Sequence, residues 1–134
     1  MTGLLHAHSG IRYLVLLAAV VAIAYFAYGL ATKKPVTRAV RILGAIYVGL
    51  LDLQVLLGLG VIAMGLWYPA LAGHVTMMVL AAAVAHVMTA KNRRLPQPGY
   101  TLPLIGVGVS LLLIIGGILA IGRNPLTMAV TGAA

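Results

Sequence analysis

The side chains able to bind a metal, hold an anion or move a proton are few: His6, His8, Arg12, Asp52, Gln54, His74, His86 and Ser110. Neutral imidazole is a good ligand for haem iron, and a b-type site in a membrane takes two imidazoles from facing helices at matched depth. Only His6, His8 and His74, with Arg12, gather toward one end of the chain's spans. His8 and Arg12 stand four residues apart and share a face if the segment is helical. An imidazole on iron beside a guanidinium on a propionate would use that spacing. The same two residues would serve a quinone head group, a lipid phosphate or plain interfacial anchoring. His6 and His8 share a side in extended chain and lie on different faces of a helix. Met77 and Met78 are possible soft ligands, although methionine in a bundle is usually filler.

Asp52 is the one acidic residue. It lies roughly 15 Å into its span, where an ionisable group costs a few kcal/mol and so invites a functional explanation. A hydrogen bond to a neighbouring backbone or hydroxyl group would explain it. So would a proton relay, or support for a ligand histidine. Gln54, two positions on, projects about 200° around the helix and shares no face with it. His74 and His86 are about 18 Å apart along one helix and cannot ligate one metal together. His86 sits beside the basic connector, as an interfacial histidine or as an alternative or second metal site.

These residues are carried on apolar segments. The chain has 134 residues, 63% hydrophobic and 7% charged, with mean hydropathy +1.12. A soluble domain keeps about a quarter of its residues charged, so lipid is the expected surroundings. Four spans are expected, at about 13–31 (from Leu4 if the histidine segment is helical), 42–66, 70–90 and 101–122, each long enough for a ~30 Å hydrocarbon core. Seven of the nine cations fall in the segments 32–41 and 91–100. The positive-inside rule makes those loops cytoplasmic and leaves both termini outside, with Arg12 and Arg123 as the outer cations. Cations so placed argue against nucleic acid, which would need a soluble basic face. The chain has no cysteine, so thiolate metal sites, disulfides and covalent haem attachment are excluded.

Short connectors favour antiparallel neighbours, and the expected fold is all-α: a single integral-membrane, up-down-up-down four-helix bundle. Gly44, Gly49, Gly58, Gly60, Gly116 and Gly117 would allow close helix packing, or leave room for a flat cofactor. Counted from the basic ends of their spans, His8 lies about 36 Å up and His74 about 24 Å. Tilt or a bent N-terminus would have to close that gap.

The segment "LLHAHSGIRYLVLL" resembles the "LHxHSGxRWLVLL" opening of small four-helix bacterial membrane proteins described as cytochrome b. The likeness extends to "DLQVLLGL" on the second span, against "HxQLLLGL". It also extends to "GHVTMM" and the later "AH" of the third, against "EHPxMM" and "GH". Tyr13 stands for a tryptophan, Asp52 for the second-span histidine and Gly73 for a glutamate. The resemblance implies haem and electron transport in a bacterial inner membrane.

The expectation is therefore a b-type haem protein carrying electrons, alone, as a homo-oligomer or within a larger redox complex. His8 and His74 would be the axial pair, with His6 as substitute ligand and Arg12 on a propionate. The rival is a cofactor-free accessory subunit that binds lipid or quinone. Neither reading assigns a catalytic residue: no nucleophile–base pair, phosphate loop or carboxylate pair is visible.

Overall fold

A computed structural model describes residues 2–120 and contains four helices, α1 (Thr2–Thr32), α2 (Arg38–Ala63), α3 (Ala70–Arg94) and α4 (Thr101–Ala120). Arg123 and the expected last residues of the fourth span lie outside the described residues. With 31, 26, 25 and 20 residues, the helices run about 46, 39, 38 and 30 Å at ~1.5 Å per residue. All four are long and apolar enough to cross a bilayer, and the chain is a multi-pass membrane protein.

The helices are apolar nearly all round, because their outer faces must meet lipid as their inner faces meet protein. Leu17, Leu56 and Leu112 are 61%, 66% and 70% exposed. Inside, Val15, Phe26, Tyr47, Leu51 and Ser110 are almost wholly enclosed. Tyr47 on α2 and Ser110 on α4 share a buried hydroxyl–hydroxyl bond of 2.7 Å across the bundle. The helices form a ring in chain order. α1 packs closely on α2 and α3 on α4, whereas α2 and α3 meet sparsely.

Local chemistry sets the helix ends. α1 closes on Lys33 in the left-handed region (φ 54°). The Lys34 N–H donates to the Gly29 carbonyl at 3.0 Å and the Lys33 N–H to that of Leu30 at 3.3 Å, a Schellman closure. Pro35 follows, and Thr37 caps α2 by accepting from the Ala39 N–H at 3.3 Å. α2 stops at Ala63, short of the expected residue 66. Gly65 adopts φ +107°, which only glycine takes without strain.

One boundary left open by the sequence is decided and one expectation changes. The histidine segment is helical from Thr2 onward. The basic residues expected in loops belong largely to helix ends: Arg38 and Arg41 in the first turn of α2, and Lys91, Arg93 and Arg94 in the last turn of α3. Cations at a helix C-terminus are favoured by its dipole, and long basic side chains can lead their charge out to the membrane surface.

Candidate functional site

His8 on α1 and His74 on α3 come together near the end of the bundle opposite the basic turns. Their ring centroids are 6.5 Å apart and their planes nearly perpendicular, at 81°. The expected depth mismatch shrinks because α3 continues to Arg94. Counted from the true helix ends, the two residues differ by only about 6 Å in rise, within reach of two side chains.

Each ring is oriented through the same atom. His8 Nδ1–H donates to the Gln54 carbonyl at 3.1 Å, and His74 Nδ1–H donates to the Gly117 carbonyl at 2.9 Å. Both imidazoles are thereby held in the tautomer that presents Nε2 as a lone pair, the arrangement metal-binding histidines commonly use. Gln54 returns the contact by donating from Nε2 to the His8 carbonyl at 2.7 Å. This reciprocal pair ties α1 to α2. The other amide atom of Gln54, Oε1, is buried and has no hydrogen-bond partner among the described residues.

Glycines make the approach possible. A β-carbon on Gly58 would lie 3.1 Å from His8 Cε1, and one on Gly117 would lie 3.0 Å from Met77 Cβ and 3.6 Å from His74 Nδ1. Gly49, by contrast, faces open space, and Gly44 has only Thr89 Cγ2 at 4.0 Å. Close packing therefore holds for some of the glycines singled out from sequence and not for others.

Beside the rings a cavity of about 60 Å³ opens into the sparse α2–α3 seam, between Val55, Leu59, Val75 and Met78. Ligand pockets run to roughly 300–1,000 Å³, so the enclosed space holds only part of one. A bulky ligand here would thus keep one edge toward lipid.

The remaining candidates divide. Arg12 stands about 30 Å above the basic end of α1 by rise, the level expected of an outer cation, and is enclosed by protein. It is buried at 8% exposure, about 15 Å along α1 by rise, and its Nη2 donates to Tyr13 Oη at 3.5 Å. One turn after His8 on a continuous helix, it shares that residue's face. His6 does not join the site as a substitute ligand. The segment is helical, so two positions turn it about 200° from His8, and it is exposed and does not line the cavity.

His86 is bound up elsewhere. Its Nε2–H donates to both carboxylate oxygens of Asp52, at 2.8 and 2.9 Å. The pair lies on the outward side of the α2–α3 seam, with side chains 53% (His86) and 45% (Asp52) exposed. Asp52's partner is a histidine rather than a backbone or hydroxyl group, and neither residue supports His8 or His74. As a separate metal ligand, His86 would have only Nδ1 to offer. Sequence reasoning missed the pairing because the residues differ by about 9 Å in rise from their basic ends. The missing signal was direction. Side chains lean toward their own helix N-terminus, so on antiparallel helices Asp52 leans toward the basic end and His86 away from it.

Among the described residues no three of His, Cys, Asp and Glu gather as a metal cluster. The site is a two-imidazole site. No family model, curated protein or solved structure matches the chain.

Proposed function

We propose that this protein is a small b-type haem carrier of a bacterial inner membrane, passing electrons alone or within a larger redox complex. In this reading both termini face the periplasm and the basic turns the cytoplasm. The observation that carries it is the meeting of two imidazoles from different helices, 6.5 Å apart, each held at Nδ1 by a backbone carbonyl.

The donor set fits haem iron, which takes neutral imidazole through Nε2. When bound, the haem would supply a one-electron couple. His8 and His74 would hold it, and the Gln54 and Gly117 carbonyls would fix the ring orientations. The apolar walls of the groove would keep water from the metal and tune its potential. Arg12, on the face of His8, would offer a guanidinium to a carboxylate.

The test is the visible spectrum of protein purified after haem-replete expression. The expected result is the sharp Soret and reduced α-bands of bis-imidazole haem, lost in His8→Ala and in His74→Ala and kept in His6→Ala and His86→Ala. A colourless wild type would refute the reading. Loss on His86→Ala alone would move the site to the other end of the bundle. A cofactor-free accessory subunit is the second reading, favoured by the half-exposed Asp52–His86 pair, which a neighbouring membrane protein would cover.

A further inference from the structure

At the opposite end of the bundle from His8 and His74, a cavity of about 450 Å³ lies where α2 begins, α3 ends and α4 begins. Its polar lining is Thr37, Arg38, Arg41, Thr89, Asn92 and Arg93. The other wall is apolar and includes the buried Val40 and Pro103. Three arginines thus line one space. The chain's single acidic side chain, Asp52, is bonded to His86 about 21 Å along α2. Like charges brought together without a counter-charge repel, and an anion entering the space would relieve that.

Asn92 adds a neutral donor. It is only 5% exposed, and its Oδ1 accepts the Gly99 N–H at 3.0 Å, which leaves its NH₂ as the group with hydrogen bonds to offer. Guanidinium forks match phosphate oxygens in pairs. The volume exceeds what a bare phosphate ion needs and falls in the range of a ligand with a body attached. The place is also right: helix ends mark the level of lipid head groups, and basic pockets between membrane helices bind anionic ones.

We propose that this cavity binds an anionic phospholipid. Arg38, Arg41 and Arg93 take the phosphate, Asn92 and the two threonine hydroxyls take polar groups of the head, and Val40 and Pro103 pack on its apolar part. The lipid bridges α2 and α3, the neighbours that otherwise touch least. The site is independent of haem binding and would serve a cofactor-free subunit equally.

The test is lipid retention by native mass spectrometry after extraction from phosphatidylcholine nanodiscs doped with phosphatidylglycerol or cardiolipin. Wild type is expected to retain the anionic lipid. The triple variant R38Q/R41Q/R93Q should weaken retention about a hundredfold, and R93Q alone about fivefold, if each arginine contributes as a surface cation usually does. The variant K33Q/K34Q/R94Q removes the same charge from outside the cavity and should retain lipid normally. Equal loss in both triple variants would reduce the effect to general surface charge and overturn the site. Wild type without preference for anionic lipid would overturn it too. Inorganic phosphate that binds in pure phosphatidylcholine discs and displaces the lipid would assign the cavity to a soluble anion instead. Circular dichroism checks folding, and R93Q keeps the test open if the triple variant unfolds.

Discussion

Replacing Gly58 with alanine separates the job of holding His8 from the job of holding the fold. The three atoms nearest to an added β-carbon all belong to the His8 ring: Cε1 at 3.1 Å, Nδ1 at 3.5 Å and Nε2 at 3.7 Å. Comfortable carbon–carbon contact begins near ~3.5 Å, so the ring must retreat by roughly 0.4 Å. The bond from Nδ1 to the Gln54 carbonyl, 3.1 Å long, would stretch to about 3.5 Å, where little of a hydrogen bond remains. That loss costs about 1 kcal/mol. Alanine in place of glycine inside a helix returns about 0.5–1 kcal/mol. The two nearly cancel, so Gly58→Ala should unfold within about 0.5 kcal/mol of wild type in mixed micelles. Haem affinity, which depends on the ring's orientation, should fall about 10–100-fold, as when a ligand histidine loses its supporting partner. Absorbance titration with haem reads the second quantity and detergent unfolding the first. Unchanged affinity would show that the Gly58–His8 contact does not position a ligand. A destabilisation of several kcal/mol would show that Gly58 packs against far more than a ring.

Two further outcomes follow from the seams. Asp52→Leu or His86→Leu alone leaves one polar partner stranded in the apolar band and should cost about 2–4 kcal/mol. The double leucine variant should recover most of that. Singles no worse than the double, measured by unfolding in mixed micelles, would mean the pair is uncoupled in lipid. Gly106→Ala places a β-carbon 2.7 Å from Met88 Cβ and should cost about 1–3 kcal/mol by forcing α3 from α4. Gly49→Ala meets nothing within 4 Å and should be neutral or gain up to about 1 kcal/mol. Equal effects at the two sites would show that the α3–α4 contact is slack.

Much of the architecture was legible in the chain because its cause is local. Leu, Val, Ile and Ala around every side of a segment leave lipid as the only favourable solvent, and Pro35, Gly65 and Pro96 interrupt the segments where the helices stop. The candidate site was legible in part. The types and spacing of His8 and His74 pointed to imidazole ligation. The depth count that set them apart failed because the basic residues at the end of α3 are helical, which the charge pattern alone does not reveal.

The sequence by itself determined four apolar crossings, the segregation of cations to one end, and the scarcity of groups that could do chemistry. Each depends on transfer of residues between water and lipid, a property every residue carries with it. Only the tertiary structure decided which groups meet: His8 with His74, Asp52 with His86, and three arginines around one cavity. Those pairings depend on helix rotation, stagger and side-chain lean, which are set by packing between helices and not by any one of them. Gly58 and Gly117 make the point in small: each is a common residue in its own segment, and becomes part of a site only because a ring from another helix lies against it.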